Sequence, residues 1–327
     1  MVRVTVLASG SKGNCTVVAT SKTRILLDAG LSCREIVKRM HLAGEDPHNL
    51  DGVLITHEHQ DHIQGLSVFA RRWNVPVYAT EATHAAWKRW MTPRKTVSFA
   101  AWLELRREQQ ADVTPVAPCE PEPDLTEASV ELTVVMAEAA QPDELSIDTK
   151  DCSTANDDPA YLPMVEYFRA GISFDIGDIH VTPFTVPHDA VDPVGFILQA
   201  EGMRIAIATD LGYLPPNVRM HLQGTDLLMI ESNHDLEMLR DGPYPWAVKQ
   251  RVLSRVGHLS NDAVGDYLSK EYDGAARFVV LAHISESNNL PELVRISAER
   301  ALNGKMSLLG NKVLLASQRT PLESIYL

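Results

Sequence analysis

Apolar and polar positions change with short periods at both ends of the chain. Residues 3–9 (RVTVLAS), 15–20 (CTVVAT) and 24–30 (RILLDAG) read as three consecutive strands with turn residues between them. Residues 32–44 (SCREIVKRMHLAG) switch to a helical period, with Ser32 or Cys33 near the start and Gly44 past the end. An apolar run of buried-strand type follows at 52–56 (GVLIT). The pattern then predicts a helix over 63–73, a strand over 75–80 and a helix over 81–91. Regular patterning lapses near residue 95 and resumes at 171–189 (GISFDIGDIHVTPFTVPHD). Residues 194–210 suggest a hairpin turning at Glu201 and Gly202, and 226–235 another strand. Helical stretches around 245–256 and 260–270, a strand at 277–285, a helix at 291–302 and a strand at 312–317 complete the chain. Strands and helices intermix in both halves, so a layered α/β or α+β domain is expected.

Composition adds a second segment to this picture. The 327 residues are 45% hydrophobic, enough for a full core, and no run approaches the length of a membrane span. The N-terminus enters a strand pattern at once, with no leader-like apolar stretch. Cys15, Cys33, Cys119 and Cys152 are scattered and form no CxxC pair. A reducing, cytoplasmic setting is the expectation. Net charge is −13, but residues 104–160 alone hold 15 acidic and 3 basic side chains. That segment also carries Pro115, Pro118, Pro121, Pro123, Pro142 and Pro159, and within it only 131–136 (ELTVVM) has a strand-like pattern. The reading is a single domain over 1–327 bearing an acidic, proline-containing insertion at about 96–165. Such an insertion suits a basic protein partner. The near-neutral remainder neither requires nor excludes a polyanionic substrate.

Candidate chemistry concentrates where apolar runs end. Five runs close on a residue able to bind metal: ILLD at Asp28, VLITHEH at His57, FTVPH at His188, IAIATD at Asp210 and VVLAH at His283. Strand ends feeding loops at one edge are where layered folds build sites. In THEHQDH, His57 and His59 lie two apart and share a side on an extended backbone. Asp61 and His62 follow as the chain turns into a helix, so they can face a neighbouring position. Mixed imidazole and carboxylate ligands suit zinc, manganese or iron better than calcium.

These residues resemble the signature of the metallo-β-lactamase superfold, an αββα sandwich of hydrolases. The runs ILLDAG, ATD and LAHIS follow in the order of that superfold's later motifs. A closer likeness is to its bacterial YycJ/WalJ-type subgroup. It is carried by VLASGSKGNCT, THEHQDHIQG, VPHDAVDPVGF, ATDLGY, ESNHD, YPWAVKQRVLSRVGHLSN and LAHISESNN, and it covers nearly all of the chain outside the insertion. The resemblance implies two divalent metal ions. His57, His59 and His188 would hold one, Asp61, His62 and His283 the other, and Asp210 would bridge them. It also implies a phosphodiester hydrolase, a 5′→3′ DNA exonuclease, working through a hydroxide activated by the metal pair. DNA would then be the substrate, with no membrane partner. The same ligand set also serves hydrolases of small cyclic phosphodiesters, thioesters or lactones. A non-catalytic regulatory protein on this fold would be expected to show gaps among the ligands.

Remaining roles follow from chemistry. Asp61 can orient or deprotonate the attacking water as well as touch metal. Asp28 either fixes a ligand imidazole from behind or is a plain turn aspartate. In SGSKGN, Ser9, Ser11 and Asn14 could present donors to a phosphate, or form only a tight turn. In GHLSN, His258 could donate a proton to the leaving oxygen, with Ser260 and Asn261 gripping phosphate. Ser260 also makes a good helix N-cap. Glu231 and His234 in ESNHD read as a satisfied polar edge near the site. Lys249, Arg251 and Arg255 recur on a helical stretch, either against a nucleic-acid backbone or as a solvated face.

Overall fold

The computed structural model describes residues 1–92, 158–302 and 312–327. Internal contacts divide the chain into one unit of Met1–Thr92 with Asp158–Leu327 and a second of Pro93–Asp157. All elements below belong to the first. The ELTVVM stretch and most of the expected insertion lie outside the described residues. The insertion's expected last residues do not behave as periphery, because Ala160 and Leu162 are buried in the first unit's core.

The first half supplies β1 (Arg3–Ala8), β2 (Cys15–Ala19), β3 (Arg24–Leu27), β4 (Gly52–Leu54), β5 (Val77–Thr80) and β6 (Val165–Phe168). The second supplies β7 (Phe174–Ile176), β8 (Ile179–Thr185), β9 (Val194–Ala200), β10 (Met203–Ala208), β11 (Leu227–Glu231), β12 (Phe278–Ala282), β13 (Lys312–Leu315) and β14 (Ile325–Tyr326). They form two seven-stranded sheets, ordered β14-β1-β2-β3-β4-β5-β6 and β13-β12-β11-β10-β9-β8-β7. Each is mixed. In the first, β1 to β3 pair antiparallel and β3 to β6 parallel. In the second, β7 to β10 pair antiparallel and β10 to β13 parallel.

Strand alternation explains the layering. Val4, Val6, Val18, Ile25 and Leu54 of the first sheet pack with Val181, Phe196, Leu198, Ile207 and Val280 of the second in one apolar seam. The alternate residues Leu7, Val17, Leu26, Val53 and Val77 face Ile36, Met40, Phe69 and Trp87 on helices. Likewise Ile197, Ala206, Leu228 and Val279 face Val264, Leu268 and Val294 on the far side. Period-two residues on both faces of both sheets are therefore buried, which gives an αββα sandwich.

The helices are α1 (Cys33–Leu42), α2 (Gln60–Ile63), α3 (Leu66–Trp73), α4 (Glu81–Met91), α5 (Pro216–His221), α6 (Leu236–Asp241), α7 (Trp246–Val252), α8 (Asn261–Lys270) and α9 (Pro291–Leu302). Ser32, Thr80 and Ser260 cap α1, α4 and α8 with their hydroxyls. The single helix expected over 63–73 is broken at Gly65. A Cβ there would lie 2.2 Å from the Leu31 carbonyl oxygen, so the chain is pinned against the loop after β3. The expected hairpin turns at Glu201 and Gly202, both with positive φ, as a two-residue turn requires.

Candidate metal centre

All of the strand ends singled out in the sequence open on one edge of the sandwich. Leaving β4, the chain passes Ile55 and Thr56 to His57, then His59, which precedes α2. Asp61 and His62 lie on α2 itself. His188 follows β8, Asp210 follows β10 and His283 follows β12. Three of the strand ends share a backbone device: Asp28, Asp210 and His283 adopt φ of 58°, 60° and 53°. This left-handed region is disfavoured for residues other than glycine. It turns each side chain sharply off its strand, and the packed sheets hold it there.

Seven of the side chains gather in two groups, and a third, overlapping set joins Asp210 and His283 to Glu231 and His258; within each set the ligand-type atoms lie within 4.8 Å of one another. His57, His59 and His188 form the first, and Asp61, His62, Asp210 and His283 the second. In the first group His188 Nε2 lies 3.2 Å from His59 Nδ1. In the second, His62 Nε2 lies 3.3 Å from Asp210 Oδ2, and His283 Nε2 lies 3.4 Å from Asp61 Oδ2. His57 Nε2, Asp210 Oδ2 and His283 Nε2 are buried without a hydrogen-bond partner. Buried polar atoms left open in this way are costly unless something else satisfies them. Imidazole nitrogens and carboxylate oxygens so placed fit divalent metal ions.

The two groups differ electrically. Burial holds the His57 imidazole well below its ordinary range, and His62 and His188 push it the same way. His188 is also lowered, chiefly by burial. Neutral imidazoles are the form that binds metal. Burial also disfavours charge on His62, but the carboxylates of Asp210, Asp28 and Asp61 outweigh it and raise it well above its usual value. The same contest at His283, with Asp210, Asp61 and Glu231 opposing burial, ends the same way. Burial would raise Asp210, but His283 and His62 hold it well below the carboxylate range. The second group is thus a nest of negative charge that demands a cation, and protons on its histidines answer that demand when no metal does.

Outer partners fix the rings. Asp28 Oδ2 accepts from His62 Nδ1 at 2.8 Å, while Asp28 Oδ1 accepts the Thr56 N–H at 2.9 Å. Glu231 does more. Its Oε1 accepts from His283 Nδ1 at 2.7 Å and His258 Nδ1 at 2.8 Å, and its Oε2 accepts the Leu211 and Leu259 amides. Burial works to raise Glu231, but these partners, His258 first, bring it down to about 2. It is an ionised post holding two imidazoles. In the sequence it read only as a satisfied edge. The signal was present: Glu231 closes the apolar run DLLMI as Asp210 and His283 close theirs.

The expected substrate contacts divide. Ser11 and His258 line the cavity of about 270 Å³ above the ligands. Ser9 does not reach it: its buried hydroxyl accepts the His283 N–H at 2.8 Å and faces Asn14 Oδ1 at 3.3 Å. Asn14 is buried too, its amide donating to Asp61 Oδ2 at 3.2 Å and its N–H to the Asp61 carbonyl at 2.7 Å. Ser260 spends its hydroxyl capping α8. Asn261 is buried and paired with Ser232 and Asn289. Ser9, Asn14, Ser260 and Asn261 therefore help build the site's walls, with polar groups engaged inside the protein. Gly30 belongs with them, since a Cβ there would lie 1.6 Å from the Asp61 carbonyl oxygen.

Likeness to known proteins extends over most of the chain. Residues 8–258 match the family model described as the metallo-beta-lactamase superfamily. The exodeoxyribonuclease YycJ of Bacillus anthracis is 31% identical over 92% of this chain and 89% of its own. The exodeoxyribonuclease WalJ of Streptococcus pneumoniae serotype 2 is 29% identical over 90% of this chain and 86% of its own. Among solved structures, the metallo-beta-lactamase fold protein YhfI of Bacillus subtilis aligns over 99% of this chain and 100% of its own, with a TM-score of 0.59 at 14% identity.

Proposed function

This chain belongs to the metallo-beta-lactamase superfamily, and from that premise we propose that it is a metal-dependent exonuclease acting on DNA ends. The observation that carries the reading is the convergence of seven ligand-type side chains, from residue 57 to residue 283, as two adjacent groups. Two exodeoxyribonuclease relatives spanning nine-tenths of the chain supply the substrate class. A pair of divalent ions, zinc or manganese with iron also compatible, would lend charge to the attacked phosphoryl group and acidify water.

The protein's own groups divide the remaining work. Asp61 is held below its ordinary range: burial opposes this, but His62 and His283 prevail, so it stays ionised and can orient the attacking water as a hydrogen-bond acceptor. His258 points Nδ1 at Glu231, which leaves Nε2 as its free nitrogen. Burial lowers the His258 pKa, Glu231 raises it more, and the net is upward. An imidazolium at the cavity wall can donate a proton to the departing oxygen. Asp28 and Glu231 orient His62, His283 and His258, and so set which ring nitrogen faces the cavity.

No helix among the described residues is long and apolar enough to cross a membrane. The acidic segment at 104–160 fits a basic protein partner better than a nucleic-acid contact. The test is a 3′-labelled DNA strand incubated with the purified protein and Mn²⁺. A ladder shortening from the 5′ end, absent in His59→Ala, is expected. Intact strand beside rapid turnover of a cyclic phosphodiester would replace this reading with that of a small-substrate hydrolase.

A further inference from the structure

The cavity over the metal-type ligands has one wall unlike the others. Its floor is polar, made by His59, Asp61, Asp210 and His283. Its mouth carries Trp90, Val248, Arg251 and Val252. Trp90 lies on α4 and leaves 70% of its surface in water. A bare indole beside a charged site offers a flat π-face for stacking.

The facing wall comes from α7. Val248, Arg251 and Val252 are spaced by three and four residues, so they share one helical face, the face turned to the cavity. Three basic residues in this stretch invited a nucleic-acid reading, and the structure separates them. Lys249 gives its ammonium to the Arg240 carbonyl, and Arg255 stacks over Tyr213 at 4.3 Å. Arg251 alone of the three lines the cavity, its guanidinium paired with Asp189. Asp189 in turn stands 3.4 Å from His188 Nε2, so the pair ties the mouth to the first ligand group. The Arg251 side chain remains 63% exposed, with donors to spare for an anion.

We propose that Trp90 and Arg251 form a nucleotide clamp at the cavity mouth, Trp90 stacking on an unpaired base of a DNA end and Arg251 holding a phosphate. This rests on the reading of the site as a nuclease and gives it a substrate form: a frayed or single-stranded end. Aromatic stacking accepts every base, so the clamp reads no sequence. An unpaired base offers both faces and can turn into the cavity mouth, so an open end fits the clamp better than a paired one.

Equilibrium binding of the metal-loaded protein to a short single strand with hydrolysis-resistant phosphorothioate linkages tests this. A second strand carries abasic units at both ends. The wild type is expected to prefer the base-bearing strand by about 10-fold. Trp90→Ala should erase that preference, and Trp90→Phe should keep part of it. Arg251→Gln should weaken both strands alike and flatten the salt dependence by about one phosphate contact. Equal affinity of the wild type for both strands, a preference that survives Trp90→Ala, or an unchanged salt slope in Arg251→Gln would overturn the clamp. Cleavage is scored apart from binding. On the same strands made with ordinary phosphodiester linkages, binding with the expected preference but no shortening defeats the exonuclease reading alone, whereas shortening without base preference defeats the clamp alone.

Discussion

The two ligand groups share one cavity and are built on opposite principles. The first is three imidazoles with no carboxylate among them. Its support is slight: the Thr56 hydroxyl lies 3.0 Å from His57 Nδ1, and the Gly257 carbonyl accepts from His188 Nδ1 at 3.2 Å. The second mixes two carboxylates with two imidazoles and is backed by two further buried carboxylates, Asp28 and Glu231. In the first group His57 and His188 are held toward the neutral, metal-binding form. Charge makes the second depend on what fills it.

Removing Asp210 from the second group should break the contrast most severely. Asp210→Ala is expected to lower hydrolysis by more than the roughly 100-fold that loss of an outer partner can cost. Circular dichroism should show the fold retained, and near-normal turnover would refute the assignment. Glu231→Gln comes next. It keeps the shape but removes the charge holding His258 and His283, and should weaken metal at the second group by about 10- to 100-fold. Metal titration should show the first group unaffected. Asp28→Asn reaches one ring directly, His62, so the loss should be nearer about 10-fold. The smallest effect is the most discriminating. Neighbouring carboxylates raise His62 and His283, so metal competes with protons there at higher pH than at the first group, and affinity there should fall as pH falls. His57 and His188 are lowered and already neutral, so the first group should respond only in more acid solution. Calorimetry in buffers of different ionisation heat reads proton release directly. Equal release from both groups would remove the distinction.

Much of this was legible in the chain. Period-two apolar runs marked the strands, caps such as Ser32 and Thr80 marked helix starts, and metal-type residues at strand ends marked the working edge. What could not be read was which polar groups face inward. Ser9, Asn14 and Asn261 have the chemistry of phosphate contacts, and only long-range packing decides that His283, Asp61 and Asn289 claim them first. The helix break at Gly65 escaped for the same reason, since its cause is the Leu31 carbonyl across a loop. Glu231 escaped because an acid closing a strand has no local mark of the two rings it will hold.

The placement of β12 between β11 and β13 has a consequence for biosynthesis. His283 is delivered by that interior strand, so the second group cannot close until the chain beyond β12 has been made. Ions met earlier by the histidines near residue 60 find only a partial set of donors. The first group, whose last member is His188, is therefore complete earlier in synthesis than the second, which waits for His283.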